Sequence, residues 1–530
     1  MTKTQKRWTL VAVILGSGIV FLDTSVVNLA LKAIGEELPR SFVTKFEGQS
    51  YVAAGYFVTL SALLILAGAV NDFFGRRRIF AMGLIGFLAT SVLCGLAPNV
   101  ELLILFRVLQ GAAGAFVVPG SLAIITASFE GEEQGRAYGI WAGASAATSI
   151  LGPFVGGVLV NSISWRAAFF INVPFLLIAI WATLRHVPES RDEEATGHFD
   201  WLGSLVIIVA VGGLSFGTIR GQDSGWEDSL PFIALAIGAI AAIALPILMV
   251  KRPHPLIPPS LFKSRNFTVT NLSTFVIYGA LYVNLGFLSL FMVGTLAYSE
   301  PAAGIASLPA TLLLALFSTR FGKLAARYGP RLFMAAGPAI MGVALLWLTR
   351  LPPDSASWAF GTGEGQSLLP PGDYLVDLLP YLLVFGAGLT VMVAPLTTAV
   401  MTSIPKHNAG VGSAINNAIS RVGSPLVTAV IFVAIVSSFY SAIQARVPGV
   451  DTDAPEFRTQ VAPLNPPESG VSQEVAEAAK TASTDAFHTS ALIASGLMFL
   501  GAAINAVGIR NPSRKELEKV AAEAEAGPAP

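Results

Sequence analysis

Long apolar runs alternate with short polar segments along almost the whole chain. A helix needs about 20 apolar residues to cross the hydrocarbon core of a bilayer, and about fourteen runs approach or exceed that length. This pattern predicts an all-α polytopic membrane protein, because helices satisfy their own backbone hydrogen bonds in lipid. The predicted spans are 8–31, 51–70, 79–97, 102–128, 136–160, 167–186, 201–219, 231–250, 267–297, 302–321, 332–349, 374–404, 410–443 and 486–509.

Lysine and arginine are unevenly divided between the two sides of the predicted bundle. With the N-terminus inside, the inner segments carry more than twice as many of these residues as the outer ones. Cytoplasmic loops concentrate Lys and Arg. The sequence therefore predicts a multi-pass protein of the plasma (inner) membrane with both termini in the cytoplasm. The long outer segments 350–373 and 448–485 are predicted to be flexible.

The composition excludes several classes of protein. Only 12% of the 530 residues are charged, about half the usual share of a soluble domain, and the formal net charge of +0 gives no reason to expect nucleic acid. The single cysteine excludes an intrachain disulfide, and the five histidines fall in or beside predicted loops. No phosphate-binding loop, nucleophile elbow or metal-ligand spacing is found. We expect no enzyme activity, metal or cofactor, and no ATP-driven pump within the chain.

A polar turn between the second and third spans carries the most constrained pattern. Gly68, Asp72 and Gly75 lead into three consecutive arginines that begin with Arg76 and Arg77. Each charge would cost at least ~2.5–3.5 kcal/mol at the bilayer centre, so the turn lies in water. The glycines allow close helix approach and a tight bend. Asp72 is expected to accept hydrogen bonds at the N-terminus of the next helix and to pair with the arginines.

Asp23 is the one carboxylate that the prediction places deep inside a span, five residues before Asn28. A lone carboxylate there should be neutral when it is buried and charged when it is hydrated or paired, which is the behaviour that proton coupling requires. The alternative is a structural aspartate that never titrates.

Arg107 lies inside the fourth span and is followed by Gln110. A buried arginine needs an anion, carbonyl groups or a wet cavity. It either takes part in coupling or braces the helix against backbone carbonyls.

The thirteenth span carries Asn416, Asn417 and Arg421, and the last two share a helix face. These residues either contact a substrate or brace the helix. With two buried arginines and one buried acid, neutral, zwitterionic or anionic amphiphiles fit such a cavity better than polycations.

The fifth span contains Gly152, Pro153, Gly156 and Gly157. Proline removes a backbone hydrogen bond and glycines permit tight packing, which predicts a kinked helix at the interface between two halves.

The glycine spacing of the turn is repeated later in the chain, where Gly322 and Gly329 lie seven residues apart and Arg331 follows. The repeat predicts an N-terminal six-helix half at 1–186 and a C-terminal half at 266–510. Two inserted helices occupy 187–265, and 511–530 forms a cytoplasmic tail.

These motifs resemble those of the major facilitator superfamily, fourteen-helix drug:proton antiporter branch. The turn at Gly68, the first-span pattern around Asp23, the Arg-x-x-Gln-Gly of the fourth span, the fifth-span Gly-Pro and the segment from Trp165 to Pro174 carry the resemblance.

The resemblance implies a proton-coupled exporter of lipophilic drugs or amphiphilic small molecules that works by alternating access and is driven by the proton gradient. Asp23 and Arg107 are then expected to couple protons. Asn28, Gln110, Asn416, Asn417 and Arg421 are expected to line the substrate cavity.

The turn from Gly68 through Asp72, Gly75, Arg76 and Arg77 is expected to act as a cytoplasmic gate that holds the outward-open state. The alternatives are an exporter of a lipid or secondary metabolite, a facilitator or importer on the same fold, and a non-transporting membrane sensor.

Overall fold

The computed structural model describes residues 1–39, 45–192, 199–223, 226, 228–361, 363, 365–465, 467 and 470–511. Eighteen α-helices are present in these residues. They are α1 (Lys3–Glu37), α2 (Lys45–Phe74), α3 (Arg76–Gly95), α4 (Val100–Ser128), α5 (Gly131–Ser162), α6 (Ala167–Phe170), α7 (Asn172–His186), α8 (Trp201–Asp223), α9 (Leu230–Lys251), α10 (Arg265–Leu290), α11 (Glu300–Ala306), α12 (Leu308–Tyr328), α13 (Arg331–Leu348), α14 (Gly372–Asp377), α15 (Leu379–Thr402), α16 (Ala409–Arg446), α17 (Pro455–Gln460) and α18 (Gln473–Gly508).

Within the described residues, 13 helical stretches are long and apolar enough to cross a bilayer. The all-α membrane fold predicted from the apolar runs is thereby confirmed. The remaining predicted span, 136–160, lies in α5, which has 32 residues but is rich in glycine, alanine and serine. This helix packs along α1 and along α12.

Two clusters of buried apolar side chains fill the bundle. The first is built mainly on α1 to α7, and the second on α10 to α18. The beginning of α16, from Val411 to Ala418, belongs to the first cluster, so the two predicted halves are joined there. The predicted domain boundaries at 187, 266 and 511 stay predictions.

The inserted pair of helices lies against the place where the halves meet. α8 packs on α2 and on α16, whereas α9 packs on α8 and leaves Ile240, Ile243 and Val250 mostly exposed. An all-round apolar helix of this kind suits a lipid environment. Asp200 fixes the base of the pair, because its Oδ1 accepts from the Gly203 amide at 2.9 Å and lies 3.2 Å from Arg252 Nη1.

The first long outer segment, 350–373, which was predicted to be flexible, is packed around one residue in its described part. Trp358 is buried, its carbonyl accepts from the Ser299 amide at 2.9 Å, and its indole donates to the Ser367 carbonyl at 3.0 Å. Its ring also contacts Tyr298 and Tyr374. One buried aromatic side chain orders a segment that is otherwise polar and rich in glycine.

The second outer segment, 448–485, also differs from the prediction. It contains α17, and α18 begins at Gln473 rather than near 486. The Leu464 amide donates to Ser483 Oγ at 3.1 Å and ties the segment to α18. Because α18 begins early, His488 lies inside a helix and its ring contacts the Leu351 carbonyl at 3.1 Å. The prediction that all five histidines fall in or beside loops is wrong for this one.

Candidate functional site

A fully buried ion pair lies inside the first half of the protein. Arg107 Nη1 donates to Asp23 Oδ2 at 2.5 Å. The Asp23 residue is 0% exposed and Arg107 is 1% exposed, so the pair lies away from water. The sequence singled out the two residues separately, and the structure brings them together.

Neutral side chains complete the hydrogen bonding of this pair. Gln110 Nε2 and Asn172 Nδ2 donate to Asp23 Oδ1 at 3.0 and 2.9 Å. Arg107 Nη1 also donates to Gln110 Oε1 at 2.8 Å, and Arg107 Nε donates to the Val52 carbonyl at 3.2 Å. A buried ion pair is tolerated only when its remaining donors and acceptors are satisfied, and here both carboxylate oxygens and the Nε and Nη1 atoms of the guanidinium have partners.

Ser91 extends the cluster, because its hydroxyl accepts from Asn172 Nδ2 at 3.0 Å and donates to the Phe169 carbonyl at 2.9 Å. We call Asp23, Arg107, Gln110, Asn172 and Ser91 the buried charge network. Sequence reasoning missed Asn172 and Ser91 as members. The signal for Asn172 was an amide at a fixed position of the motif that starts at Trp165, next to an apolar run.

The local sequence of α4 explains how the network forms. Arg107 and Gln110 are three residues apart, so they share a helix face. A Cβ on Gly111 would lie only 2.3 Å from the Tyr56 carbonyl oxygen, so glycine lets α4 approach α2 closely. This approach places the Arg107 guanidinium 4.2 Å from the centre of the Tyr56 ring, where a cation–π contact adds to the pairing.

A cavity of about 800 Å³ lies between the two halves. Asn416, Asn417 and Arg421 line it, as the sequence predicted for cavity residues. Gln110 does not, because the structure places its side chain in the buried charge network instead. The side chain of Asn28 lies outside the described part of the chain.

The predicted gate turn joins the two halves at the predicted cytoplasmic end. Arg76 Nε and Nη2 donate to Asp72 Oδ1 at 2.9 and 2.8 Å, and Nη2 also donates to the carbonyls of Lys406 and His407 at 2.7 and 3.2 Å. Asp72 Oδ2 accepts from the Val411 amide at 2.9 Å. The turn of the first half therefore holds the start of α16 in the second half.

The hydrogen bonds of Asp72 differ from the expectation in one respect. The helix whose N-terminus it caps is α16 and not α3. The Glu189 carboxylate takes the place at α3, where it accepts from the amides of Arg77 and Arg78 at 3.0 and 3.2 Å. Both carboxylates lie at helix N-termini, where the helix dipole favours an anion.

Arg77 does not join Asp72, because its Nη2 donates to the Leu184 carbonyl at 2.5 Å. In the part of the chain that the structure describes, Arg76 is the arginine of the three that bonds to Asp72. Gly75 has a φ of 108°, which permits the tight bend, and a Cβ there would lie 2.9 Å from Glu189 Oε1.

Two equivalent glycine contacts, one for each copy of the sequence repeat, close the same end of the bundle. A Cβ on Gly68 would lie 2.4 Å from the Gly410 carbonyl oxygen, and a Cβ on Gly322 would lie 2.4 Å from the Gly135 carbonyl oxygen. Each contact joins one half to the other. Gly329, the partner of Gly75 in the sequence repeat, also has a positive φ of 86°. The repeat predicted from glycine spacing is therefore a structural repeat.

The packing of α5 corrects the prediction for the Gly-Pro motif. A Cβ on Gly152 would lie 2.4 Å from Ser25 Cβ on α1, so this glycine faces a helix of its own half. The face toward the second half carries Gly135, Gly139 and Gly143, which pack on α12. These three are spaced by four residues, a pattern of close helix packing that the sequence analysis overlooked. Gly156 is buried, and the burial of Pro153 and Gly157 lies outside what the structure describes.

Charged pairs surround the closed end. Glu130 Oε1 lies 2.6 Å from Lys406 Nζ and links the two halves, whereas Lys6 pairs with Glu133 inside the first half. The hydrogen bond from Lys406 and its charge lower the pKa of the Glu130 carboxyl, so the pair is intact at neutral pH. Both side chains of this link are exposed, and its contribution is therefore small.

The chain matches one protein family and is similar to several known proteins. The model of the Major Facilitator Superfamily matches residues 13–428. The multidrug resistance protein Stp of Mycobacterium tuberculosis is 31% identical over 432 residues, which are 81% of this chain and 76% of that protein. The tetracenomycin C resistance and export protein of Streptomyces glaucescens is 30% identical over 431 residues, 81% of this chain and 76% of that protein.

A solved structure shares the architecture. The proton:xylose symporter XylE aligns with a TM-score of 0.58 at 15% identity, covering 98% of this chain and 100% of that one. At this identity the likeness shows the fold alone.

Proposed function

The chain belongs to the Major Facilitator Superfamily, and from this premise we propose that it exports lipophilic or amphiphilic small molecules in exchange for protons. The names of its relatives, which include a multidrug resistance protein and an antibiotic export protein, support export of such compounds. We further propose that it lies in the plasma (inner) membrane with both termini in the cytoplasm.

The proposal of proton coupling rests on one observation: the helices that carry the buried charge network also line the cavity. Asp23 lies on α1 two residues from Phe21, and Arg107 lies on α4, which contributes Leu122; both Phe21 and Leu122 line the cavity. Protonation turns a carboxylate from an acceptor into a partial donor and removes its charge. The Arg107 guanidinium would then lack its counter-ion, and α1, α2 and α4 would have to repack.

The proposed cycle uses this change to favour one state over the other. In the closed arrangement at the predicted cytoplasmic end, Asp72 and Arg76 hold α16, and substrate would leave the cavity toward the opposite side. Protonation of Asp23 biases the equilibrium toward a state in which the predicted cytoplasmic end opens. Substrate enters there, and release of the proton to the cytoplasm restores the first state.

Reconstitution in liposomes tests this proposal. An imposed proton gradient should drive uptake of N-phenyl-1-naphthylamine, a neutral lipophilic dye, or of another member of a panel of neutral, cationic and anionic aromatic compounds. Asp23→Asn should abolish the gradient dependence. Asp451→Asn, which makes the same chemical change on an exposed outer segment, should leave it intact.

The outcomes separate the alternatives. Accumulation driven by the gradient in the Asp23→Asn protein would remove the coupling role of Asp23. Flux that ignores the gradient in the unmodified protein would indicate a facilitator, and flux in the opposite direction an importer. No saturable flux for any compound would favour the sensor.

A further inference from the structure

The cavity between the halves carries one charge, and it is positive. Among the described residues that line it there is no aspartate or glutamate, and Arg421 is the sole lysine or arginine. The carboxylate of the first half, Asp23, is enclosed and paired with Arg107. The two buried arginines of the sequence therefore have different surroundings: one is neutralised and the other faces the cavity.

Arg421 is half-buried and has no ion pair or hydrogen bond within the part of the chain that the structure describes. A guanidinium offers five N–H donors in a planar fork that matches a carboxylate, sulfonate or phosphate. Such a group, held in a partly enclosed cavity without a protein partner, is a site for an external acidic group.

The helix that carries Arg421 presents a polar face to the cavity. Ser413, Asn416, Asn417 and Ser420 line it together with Arg421, at the spacing of one side of a helix. These side chains are held in place.

Asn416 Nδ2 donates to Asn271 Oδ1 at 3.1 Å and to Thr274 Oγ1 at 2.9 Å, and Asn417 Nδ2 donates to the Ser413 carbonyl at 3.0 Å. The polar face of this helix is thus preorganised around the Arg421 guanidinium.

The remaining walls are mostly apolar and aromatic. Tyr278, Tyr282 and Leu285 of α10, Phe385 of α15 and Trp141 of α5 line them. A cavity of about 800 Å³ with apolar walls and few polar groups is of the size that encloses a drug-sized ligand. The shape suits a molecule with an apolar body and one polar group.

We propose that the substrate is an amphiphile with a single acidic group, a carboxylate, sulfonate or phosphate, which binds Arg421 while its aromatic or aliphatic body packs against α10 and α15. This inference deepens the exporter proposal and rests on it. A cation would meet an uncompensated positive charge in the cavity, and a neutral compound would gain nothing from it. An anion gains charge-assisted hydrogen bonds, which are about twice as strong as neutral ones.

Two dyes with one aromatic skeleton test the charge preference. 8-Anilinonaphthalene-1-sulfonate is anionic, and N-phenyl-1-naphthylamine is the same skeleton without the sulfonate. Their binding is measured by fluorescence titration of the full chain in phosphatidylcholine nanodiscs, with empty nanodiscs subtracted and no gradient present. Arg421→Gln should weaken binding of the sulfonate by about 10-fold or more and leave the neutral dye within about twofold, because only the sulfonate loses charged hydrogen bonds.

Two further variants provide controls. Arg421→Lys keeps the charge and should retain most of the affinity for the sulfonate, with a smaller loss because the bidentate geometry is gone. Arg350→Gln removes a positive charge outside the cavity, next to Trp347, and should change neither dye. Equal losses of both dyes in Arg421→Gln, or no loss of the sulfonate, would overturn the inference.

A second arm identifies the source of the acidic group. Addition of phosphatidylglycerol to the nanodiscs should displace the sulfonate from the unmodified protein if a lipid phosphate is the natural ligand. Undiminished binding would point to a soluble acid, and either result leaves the acidic group at Arg421.

The binding and transport experiments fail independently. If sulfonate binding depends on Arg421 but no compound shows gradient-driven flux, the exporter proposal is wrong and the binding site at Arg421 is supported. If the neutral dye shows gradient-driven flux but sulfonate binding does not depend on Arg421, the proposed site for an acidic group is wrong and the exporter proposal is supported.

Discussion

The carboxylate of Asp23 binds one charged and two neutral donors from α4 and α7. The bond from Arg107 is the one that depends most on ionisation of Asp23, because a protonated carboxyl has no charge and fewer acceptor sites. In the proposed cycle, proton binding at this residue would therefore be linked to helix packing. In this structure neither Asp23 oxygen lines the cavity, so the proposed coupling requires a rearranged state in which the carboxyl becomes accessible.

Replacement of one member of the pair should destabilise the protein more than replacement of both. Asp23→Asn leaves Arg107 buried without a counter-ion, which costs about 3–5 kcal/mol in buried pairs of this kind. The double variant Asp23→Asn with Arg107→Gln removes both charges and should recover most of that loss. The melting temperature in nanodiscs, followed for both single variants and the double variant, measures this coupling.

The same variants separate stability from transport. The double variant should be nearly as stable as the unmodified protein yet show no gradient-driven flux. Additive melting-temperature losses, with no recovery in the double variant, would contradict the pairing of the two charges.

The sequence predicted the members of the pair better than the pair itself. Charged residues inside apolar runs are costly, so Asp23 and Arg107 could be identified singly. Their contact spans 84 positions, and the contact between Asp23 and Asn172 spans 149. Such long-range contacts depend on the packing of whole helices, which a single sequence does not encode in any local pattern.

At the scale of helices, glycine backbones determine how the two halves meet. Gly68 of α2 lies on Gly410 of α16, and Gly322 of α12 lies on Gly135 of α5. Side chains at these positions would overlap backbone atoms, which cannot move aside as a flexible side-chain end can. The closed arrangement at the predicted cytoplasmic end therefore requires glycine there.

A side chain at Gly68 should keep that end from closing. Gly68→Leu places a branched side chain where even a Cβ would lie 2.4 Å from a carbonyl oxygen. Electron–electron double resonance between spin labels at the exposed Phe74 and Thr402, in a Cys94→Ala background, should show a longer distance between the halves.

Gly286→Leu is the matched control for this measurement. It makes the same change on α10 at a position where a Cβ meets no atom within 4 Å, so the distance should stay unchanged. An unaltered distance in a folded Gly68→Leu protein would show that the glycine contact does not limit closure.

Predictability at this scale followed the strength of the local pattern. The apolar runs gave the spans, and the spacing of Gly68 and Gly75 gave the repeat. The packing within the outer segments was not foreseen, because it depends on isolated residues such as Trp358 and Leu464, and single apolar residues produce no periodic signal. The four-residue spacing of Gly135, Gly139 and Gly143 is visible in the sequence, but the prediction placed the interface between the halves at the proline-containing motif that follows.

For the whole molecule, the structure represents one of the two arrangements that the proposed alternating-access cycle requires. The halves are joined at the predicted cytoplasmic end by Asp72, Arg76 and the glycine contacts. The sequence could not reveal which arrangement is adopted, because the two states of a transporter differ by only a few kcal/mol and share all local patterns.

A removable cross-link across the halves tests whether this end must open for transport. Cysteines in place of Glu130 and Lys406, whose charged atoms lie 2.6 Å apart, join the halves through a disulfide-containing bifunctional reagent in the Cys94→Ala background. We expect gradient-driven transport to cease after cross-linking and to return after reduction with dithiothreitol, because the halves separate at this end in every cycle.

A second pair of cysteines makes this test specific. Lys6 and Glu133 form an ion pair at the same end, but both belong to the first half. The same reagent there should leave transport intact, because the two residues move together. Sulfonate dye binding should survive in both cross-linked proteins, since none of the four replaced residues lines the cavity. Continued transport with the Glu130–Lys406 positions cross-linked would mean that the halves do not part at this end, and the assignment of the Asp72–Arg76 contacts as a gate would fall with it.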